Sequence, residues 1–465
     1  MSVTLPEIFI NQMKQLLGGE YVPFISSYDD QSKKAIRLNR LKKSISGEMC
    51  APYDKSCQSL PWCPEGFTYP PDARPAKTIS YHAGIFYIQE PSAMLPVEIL
   101  GVETGMKVLD LCAAPGGKST QIAGHLQGEG LLVSNDSSPS RIHALVKNIE
   151  RAGVTNAIVL TEQPWKLAQR FGGYFDRVLV DAPCSGEGMF RRDKDVVKAY
   201  AANKPEVCSA MQKEILHHAA GMLKPGGLLV YSTCTFNTTE NEDVVRFFLE
   251  RHRDFSLKSI DHDALGLPQV KELDAGLPFT ARVWPHLSPG EGHFVALLEK
   301  NSDEVLTQKL AGKIGAAQRK PVANNTSAKE FQAFCQNFLC KQFQQENIII
   351  QGLNIYVAPF APELSGLRVA RTGWHVGSVA KDRFTPSHAL AMGLAKGDVC
   401  FSVELTEGDA WRYLKGESLA QSAGLDASAR EKPWVLVCHH SHPLGWARLV
   451  GGRLKNQLPV GWVVR

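Results

Sequence analysis

The sequence of 465 residues predicts an α/β fold built around a doubly wound, mostly parallel sheet. Between residues 107 and 233, short apolar runs alternate with segments of helical periodicity, which is the pattern of repeated strand and helix units. A later run, HFVALLEK (293–300), alternates like an added antiparallel strand. The polar residues that could do chemistry follow the ends of these runs. Because parallel strands end at one edge of a sheet, these residues are expected to share a ligand-binding edge.

The first strand leads into a glycine turn, in KVLDLCAAPGGKSTQIAGHL (107–126). Gly116 and Gly117 permit a close approach that a Cβ atom would block. The turn also presents backbone N–H groups and a helix N-terminus to a ligand. Its spacing fits neither a dinucleotide fingerprint nor a phosphate loop. The turn therefore predicts a ligand site without identifying the ligand.

Polar side chains end the next strands, which are predicted at 131–136, 156–160, 177–181 and 227–233. Asp136 is placed to bind ribose hydroxyls, or else to cap the following helix. Glu162 and Gln163 follow the third strand, where a polar side chain could meet an adenine. Asp181 ends the fourth strand, three residues before Cys184.

Two cysteines follow two of these strands: Cys184 in RVLVDAPCSGEG (177–188) and Cys234 in LLVYSTCTFN (228–237). C5 of cytosine is a poor nucleophile until a thiolate adds to C6, and a base must later remove the C5 proton. Two thiols therefore predict a covalent cycle with separate capture and release steps, in which Asp181 could protonate N3 of the ring. The alternative is that both cysteines are core residues, although the tight turn after Cys184 and the hydroxyl groups around Cys234 favour chemistry.

The charge balance of the chain is nearly neutral, with 51 Lys and Arg against 47 Asp and Glu, so nucleic-acid binding requires local patches. KKAIRLNRLKK (33–43) has six basic residues and no acid, which suits phosphate contacts, with a solvated helix face as the alternative. The odd count of 11 cysteines argues against a disulfide framework, and no metal-ligand spacing is present. No signal-peptide pattern and no apolar run of ~20 residues is found, which predicts a cytoplasmic protein without a membrane partner.

Four motifs, LDLCAAPGGKST, NDSSPSRIHAL, DAPCSGEGMFRR and YSTCTFNTTENE, resemble the Nop/Sun family of S-adenosylmethionine-dependent RNA cytosine-5 methyltransferases. The resemblance covers roughly residues 1–300 and is closest to the bacterial branch that acts on small-subunit ribosomal RNA. It implies a Rossmann-like methyltransferase core, S-adenosylmethionine as cofactor, and a monomer whose partner is RNA and not DNA. A transfer RNA substrate remains an alternative. The resemblance also leaves open whether the substrate is naked RNA or an assembled ribosomal subunit.

Residue by residue, the resemblance makes Cys234 the nucleophile and Cys184 the residue that assists release. Asp181 would contact the cofactor amine, the target base or both, and Lys118 would approach the cytosine unless it is simply solvated. Gln163, in preference to Glu162, would take the place of an aspartate that the family commonly shows after the third strand. The glycine turn at residues 112–118, called the donor turn below, would supply most of the remaining cofactor contacts. The full set of these contacts is Cys112, Ala113, Ala114, Pro115, Gly116, Gly117, Lys118, Asp136 and Arg141.

The chain is predicted to divide into an N-terminal RNA-recognition region (1–100), a catalytic domain (101–302), a first C-terminal domain with a linker at 311–330 (303–380), and a small β-rich barrel (381–465). RLKNQLP with GWVVR resembles the tail of the pseudouridine synthase and archaeosine transglycosylase (PUA) type of RNA-binding domain. Basic residues near Trp446 and Trp462 could hold RNA by phosphate contact and stacking, or both tryptophans could be core. These basic residues are Arg448, Arg453 and Lys455.

Two other functions remain open from the residues alone. One is a DNA cytosine-5 methyltransferase that attacks through Cys184. The other is a catalytically silent RNA-binding assembly factor that keeps the fold. The intact donor turn and the presence of both cysteines favour the RNA methyltransferase.

Overall fold

The computed structural model describes residues 5–42, 57–200, 204–268, 277–302, 326–358, 362–420 and 434–464. Lys43 at the end of the basic segment and residues 311–325 of the predicted linker lie outside these ranges. None of the helices in these ranges is long and apolar enough to cross a membrane.

The N-terminal region contains four helices and a small antiparallel sheet. Its elements are α1 (Glu7–Leu17), α2 (Tyr21–Ser26), β1 (Lys34–Leu38), β2 (Ser59–Leu60), β3 (Cys63–Tyr69), α3 (Ile79–His82), β4 (Phe86–Gln89) and α4 (Leu95–Leu100). The strand order is β2-β3-β1-β4. Phe9 of α1 lies 5.1 Å from Phe190, and Phe24 of α2 lies 5.3 Å from Phe236, measured between ring centroids. The N-terminal helices therefore pack on the two segments that follow Cys184 and Cys234.

The described part of the basic segment, residues 33–42, contains strand β1 and no helix. Arg37 and Lys42 are buried, and both donate hydrogen bonds within the protein. The prediction of a phosphate-binding patch is therefore wrong for these two residues. Lys33 and Lys34 are exposed and remain available to a polyanion.

The central sheet has the predicted doubly wound α/β architecture. Its elements are β5 (Lys107–Asp110), α5 (Gly117–Leu126), β6 (Leu131–Asn135), α6 (Pro139–Ala152), β7 (Ala157–Leu160), α7 (Pro164–Arg170), β8 (Phe175–Asp181), α8 (Lys194–Ala199), α9 (Pro205–Met222), β9 (Leu223–Thr233), α10 (Glu242–Arg251), β10 (Phe255–Lys258), β11 (Ala281–Val283) and β12 (His293–Lys300). Strands β5 to β9 pair in parallel, and β12 joins β9 antiparallel, which confirms the predicted strands. The order β9-β8-β5-β6-β7 reverses direction at β5, where a crevice is expected at the carboxyl ends of β5 and β8.

The C-terminal region forms two smaller sheets. Its elements are α11 (Thr326–Phe338), β13 (Ile348–Gln351), β14 (Asn354–Val357), β15 (Val369–Arg371), β16 (Trp374–Ala380), β17 (Arg383–Pro386), α12 (His388–Gly393), β18 (Ser402–Glu404), α13 (Glu407–Leu414), β19 (Leu419–Ala420), β20 (Trp434–His439), β21 (His442–Val450) and β22 (Arg453–Asn456). The strand orders are β13-β14-β16-β17 and β18-β20-β21-β22-β19. Residues 326–330, predicted as linker, belong instead to α11 because Ala328 and Phe331 bury one face of that helix.

One C-terminal strand joins the central sheet. Strand β15 pairs antiparallel with β7 at the sheet edge, and the guanidinium of Arg371 pairs with Glu150 of α6. Arg368, just before this strand, donates its backbone N–H to Glu162 Oε1 at 2.8 Å. The C-terminal region is thus hydrogen-bonded to the edge of the central sheet.

Both C-terminal tryptophans take part in packing within the protein. Trp446 is buried, and its indole N–H donates to the carbonyl of Ser387 at 2.9 Å, so it is a core residue. The ring of Trp462 lies under the ammonium of Lys147 at 5.1 Å and the guanidinium of Arg151 at 5.7 Å, both on α6. The stacking alternative is therefore wrong for Trp446, while Trp462 connects the C-terminal region to α6.

Candidate active site

Cys184 and Cys234 are brought together at the carboxyl edge of the sheet. Strands β8 and β9 are parallel neighbours in which Asp181 pairs with Ser232, so the two turns begin side by side. The two sulfur atoms lie 3.3 Å apart, within hydrogen-bonding distance for thiols. Burial and the neighbouring sulfur of Cys234 hold the pKa of Cys184 well above its usual range, the hydrogen bond to Cys234 being the largest cause. Cys184 is therefore a neutral thiol at pH 7, poorly suited to attack a ring.

A buried glutamate, Glu240, joins the two cysteine turns. Its carboxylate accepts the Ser185 backbone N–H at 2.9 Å, the Asn237 amide at 2.8 Å and the Gln212 amide at 2.9 Å. The Ser185 hydroxyl also donates to it. Burial raises the pKa of Glu240, although these donors oppose the shift. The sequence alone does not indicate a role for Glu240, because only the tertiary structure places it between the two turns.

A second buried glutamate, Glu187, supports the turn that contains Cys234. Its carboxylate accepts the backbone N–H groups of Phe236 at 2.8 Å and Asn237 at 2.9 Å. Next to it, a Cβ atom on Gly188 would lie 3.0 Å from the Cys234 carbonyl oxygen, so glycine allows the two turns to approach closely. Neither Glu187 nor Glu240 was predicted to be a site residue, although they lie in the motifs DAPCSGEGMFRR and YSTCTFNTTENE.

Asp181 and Lys118 form an ion pair beside the cysteines. Lys118 Nζ lies 2.8 Å from Asp181 Oδ2, the Ser232 hydroxyl donates to Asp181 Oδ1 at 2.8 Å, and His293 Nε2 lies 3.4 Å from the same oxygen. Burial alone would raise the pKa of Asp181, but Lys118 and His293 outweigh it and hold that pKa well below its usual range. Asp181 is therefore a carboxylate that accepts hydrogen bonds, not the proton donor to N3 that the sequence suggested. Burial opposes the charge of Lys118, but Asp181 and the nearby Cys234 raise its pKa and keep it an ammonium.

The donor turn lines a cavity of about 210 Å³ next to this pair. The cavity brings together the predicted turn residues and parts of the N-terminal region, including Tyr87, Gln89 and Glu90. Gly116 has φ of 108°, a backbone conformation that favours glycine, and it directs the chain into α5. The predicted cofactor residues that line the cavity are Asp181 and, from the turn, Cys112, Ala113, Ala114, Pro115, Gly117 and Lys118.

Asp110 in this cavity has an unpaired buried oxygen. Its Oδ2 accepts the Ser119 hydroxyl at 2.7 Å, but Oδ1 has no hydrogen-bond partner among the described residues. The side chain is fully buried, and burial, with the charge of Asp181, raises its pKa to about 7. A buried acceptor without a partner is costly, so this oxygen is suited to a cationic donor from a ligand. The sequence contained this residue at the end of β5 but gave it no role.

The other predicted cofactor residues surround the outer part of the turn. The carboxylate of Asp136 accepts the backbone N–H groups of Ala114 at 3.1 Å and Ser138 at 3.0 Å. Arg141 lies 3.3 Å from Asp136 and also donates to the Ala114 carbonyl. Both side chains therefore hold the turn in shape.

The two candidates for an adenine contact differ in exposure. Glu162 is buried, with Lys166 Nζ at 2.8 Å and the guanidinium of Arg368 at 3.3 Å. Gln163 is exposed at the start of α7. Because the Glu162 carboxylate already has three donors, Gln163 is the one with a side chain available to a ligand.

Arg37 stabilises the donor turn through hydrogen bonds, a role that the sequence did not indicate. Its guanidinium donates to the Gly117 carbonyl at 2.8 Å and the Thr120 hydroxyl at 2.8 Å, both at the start of α5, and it also donates to Gln89. Burial lowers its pKa to about 10, so the side chain remains charged. The N-terminal sheet therefore positions the helix that begins the cofactor cavity.

We expect Arg37→Met to weaken S-adenosylhomocysteine binding about 10-fold or more, because it leaves buried acceptors without donors. Arg37→Lys should restore part of the affinity, since an ammonium can reach one acceptor but not several. Isothermal titration calorimetry measures the dissociation constant. Arg74→Met, at an exposed arginine of the same region, is the control and should leave the affinity unchanged. Equal loss of thermal stability and affinity in both Arg37 variants would indicate a purely structural role.

One further group of described residues brings a thiol and two carboxylates within 4.8 Å, namely Cys63, Glu65 and Glu98. Arg40 forms an ion pair with Glu65, and Gln121 donates to Glu98 at 2.7 Å. Their ligand atoms are thus engaged by protein donors, and we assign no metal to them.

Comparison with known proteins matches nearly the whole chain. A model described as 16S rRNA methyltransferase RsmB/F matches residues 97–299, and the N-terminal domain of 16S rRNA methyltransferase RsmF matches 5–91. The RsmF rRNA methyltransferase first C-terminal domain matches 333–394, and the Methyltransferase RsmF PUA domain matches 400–464. The chain is 32% identical to the Ribosomal RNA small subunit methyltransferase F of Erwinia tasmaniensis, over 98% of this chain and 96% of the relative.

Two solved structures each match 64% of the chain. A methyltransferase homolog protein from Pyrococcus horikoshii is 28% identical, with a TM-score of 0.54 over 64% of this chain and 96% of that one. NSun6 from Pyrococcus horikoshii, solved with SFG, is 22% identical, with a TM-score of 0.55 over 64% of this chain and 99% of that one, and it supports the fold.

Proposed function

Because the chain belongs to the 16S rRNA methyltransferase RsmB/F family, we propose specific roles for its residues in the S-adenosylmethionine-dependent methylation of C5 of a cytosine in ribosomal RNA. The observation that carries the proposal is the pair of sulfur atoms 3.3 Å apart, flanked by the Lys118 and Asp181 ion pair and the donor cavity. The family model and the named relative favour 16S ribosomal RNA as the substrate, and we propose that RNA.

In the capture step, the thiolate of Cys234 adds to C6 of the cytosine, which forms a C–S bond and makes C5 nucleophilic. The addition places negative charge on the ring, and the Lys118 ammonium is positioned to stabilise it. The Asp181 carboxylate can accept a hydrogen bond from the exocyclic amine of the base, which orients the ring. The raised pKa of Cys184 argues against Cys184 as the attacking group.

S-adenosylmethionine supplies a methyl group on a sulfonium, which the nucleophilic C5 accepts. The backbone from Cys112 to Lys118 would hold its methionine end, and Asp110 Oδ1, with no partner among the described residues, would accept from its α-ammonium. Asp136 and Arg141 would fix the turn near the ribose, and Gln163 would reach the adenine. These residues fit S-adenosylmethionine because the cavity presents backbone groups of the donor turn and a buried acceptor, Asp110 Oδ1, that has no partner among the described residues.

In the release step, Cys184 takes the C5 proton and the C–S bond to Cys234 breaks, which yields 5-methylcytosine and a free thiolate. The main cause of the raised Cys184 pKa is Cys234 itself. Once the sulfur of Cys234 is a thioether bonded to C6, it is a weaker hydrogen-bond acceptor, so the pKa of Cys184 falls and the Cys184 thiol can lose its own proton to solvent. Cys184 therefore becomes a usable base only after capture has occurred.

We propose a division of the chain that follows the predicted regions: recognition of RNA at 1–100, catalysis at 101–302, and substrate choice by the two C-terminal parts. The first of those parts extends to Pro386, because β17 completes its sheet. Exposed Arg453 and Lys455 would contact phosphates. We further propose a cytoplasmic monomer that does not act on DNA.

The test presents the enzyme with labelled S-adenosylmethionine and, in parallel, 16S ribosomal RNA, transfer RNA and duplex DNA. We expect label only in the ribosomal RNA, at C5 of cytosine. Incorporation into DNA alone would contradict the proposal, and so would an absence of label in all three polymers and in assembled small subunits.

The binding of S-adenosylhomocysteine should weaken as the pH falls below 7. The raised pKa of Asp110, about 7, means that its carboxyl is protonated at lower pH, and a cationic ligand can bind only after that proton leaves. We expect the dissociation constant to rise about 10-fold per pH unit below 7, with proton uptake on dissociation. Calorimetry at several pH values in two buffers measures both, and Asp110→Asn should bind more weakly with a flat profile. A steep profile in the variant would contradict the assignment.

A further inference from the structure

A cleft of about 470 Å³ lies between α11 and the segment that follows it, far along the chain from the catalytic cysteines. Its apolar lining includes Phe331, Phe343 and Ile348. Its polar lining is dominated by a single chemical group, the carboxamide, carried by Gln332, Gln336, Gln342 and Gln345. None of the functions proposed above uses this cleft.

The polar lining is neutral and available. No lining residue is acidic, and Lys341 is the one charged residue among them. Three of the glutamines, at positions 336, 342 and 345, are exposed, and no hydrogen bond to another described side chain engages the four carboxamides. Each carboxamide offers two donors and an acceptor, so the group can pair with mixed donor and acceptor edges.

The aromatic lining is held in place by its neighbours. The ring of Phe343 lies 5.5 Å from Phe331 and 5.7 Å from Trp374, measured between centroids. Lys341 Nζ lies 5.6 Å from the centre of the Trp374 ring. Phe343 is half-buried, so part of its ring remains open to a ligand.

We propose that this cleft binds an unpaired nucleobase of the RNA substrate. Single-stranded RNA is recognised by stacking of bases on aromatic side chains and by hydrogen bonds to their edges. Glutamine carboxamides match those edges, and the volume lies within the range of about 300 to 1,000 Å³ typical of small-ligand sites. One cation suits a single flanking phosphate, whereas an acidic peptide would need more. The inference rests on the proposed RNA methyltransferase function and adds a second point of contact, in the first C-terminal part.

The experiment measures binding of the full chain to 16S ribosomal RNA by filter retention at physiological salt. The variant Gln336→Ala with Gln342→Ala removes two exposed carboxamides, and we expect its dissociation constant to rise about 10-fold. Gln344→Ala is the matched control, because Gln344 is an exposed glutamine beside the cleft that does not line it and accepts from Asn347 instead. It should bind like the wild type. Binding of S-adenosylhomocysteine should be unchanged in both variants.

A second measurement tests whether the RNA contacts the cleft directly, as opposed to an indirect effect of the glutamine substitutions on RNA affinity. RNA containing 4-thiouridine should form photo-crosslinks to a peptide that includes Phe343 in the wild type, and fewer in the double variant. Unchanged RNA affinity of the double variant, together with no crosslink to this peptide, would overturn the proposal. Weaker binding only to assembled subunits, with naked RNA unaffected, would also overturn it and indicate a ribosomal protein as the occupant.

The two proposals fail in different ways. Cys234→Ala should retain RNA binding and the crosslink while it loses methyl transfer. If the wild type binds RNA through this cleft but transfers no methyl group, the proposed catalysis is wrong and the cleft assignment stands. If methyl transfer occurs but the glutamine variants bind normally, the cleft assignment alone is wrong.

Discussion

Cys184→Ala is expected to accumulate a covalent protein–RNA complex, whereas Cys234→Ala should form none. In the first variant, the thiolate of Cys234 still adds to C6 and methyl transfer follows, but no neighbouring base removes the C5 proton, so the C–S bond persists. In the second variant, the hydrogen bond to Cys234 is lost, but burial and the carboxylate of Glu240 still raise the pKa of the remaining thiol, Cys184. Turnover should fall by about 10⁴-fold or more in Cys234→Ala, since loss of a nucleophile removes the covalent route.

Denaturing gel electrophoresis after incubation with 16S ribosomal RNA and S-adenosylmethionine measures the complex, and sequencing of the trapped RNA identifies the cytosine. Cys400→Ala, which removes an exposed thiol in the C-terminal region outside the glutamine-lined cleft, is the matched control and should turn over normally. A complex in Cys234→Ala and none in Cys184→Ala would reverse the two roles. Absence of methyl transfer by the wild type on every RNA form would instead favour a binding factor.

Lys118→Met is expected to lower kcat by about 10² to 10⁴-fold. The variant removes the ammonium that faces both Asp181 and Cys234, so the buried carboxylate loses its closest counter-charge and the ring charge that develops on addition is no longer stabilised. Single-turnover rates of the variant and the wild type measure this loss.

Lys224→Met provides the matched control for this variant. Lys224 forms an ion pair with Asp176, with Nζ and Oδ1 2.5 Å apart, at the opposite edge of the same sheet. Loss of that pair should change the rate by less than about 2-fold, since a partly exposed ion pair contributes little to stability. A comparable rate loss in both variants would mean that Lys118 acts through the stability of the sheet, not through the reaction.

The interactions around Glu240 explain why the two sulfurs can lie so close. Two turns that each end a strand would otherwise be free to separate, and the carboxylate of Glu240 accepts donors from the Cys184 side and from the Cys234 side. Glu187 provides a second connection through the backbone of Phe236. Because the donors are buried, removing either carboxylate would leave them unsatisfied, at about 1 to 3 kcal/mol each.

The sequence determined the central sheet and the chemistry at its edge. Apolar runs of strand length separated by helical periodicity admit few other arrangements, and parallel strands must end at one edge, so Asp181, Cys184 and Cys234 could be placed together before any coordinates were known. The glycine turn could also be predicted from the sequence, because the conformational freedom of Gly116 is a property of the residue itself. Membership of the methyltransferase family then followed from motifs that stand close together in sequence.

Only the tertiary structure decided which side chains support that edge. Arg37 was predicted to contact phosphate but is buried against the donor turn. Glu240 joins the turns that contain Cys184 and Cys234. Arg368 hydrogen-bonds to Glu162, which is 206 residues away in the sequence. Trp446 and Trp462 likewise pack within the protein. Local patterns set periodicity and turn chemistry, but a charged residue is buried only where distant segments supply its counter-charge and hydrogen-bond partners. Those partners are brought together by packing of the whole chain, and no spacing along the sequence encodes them.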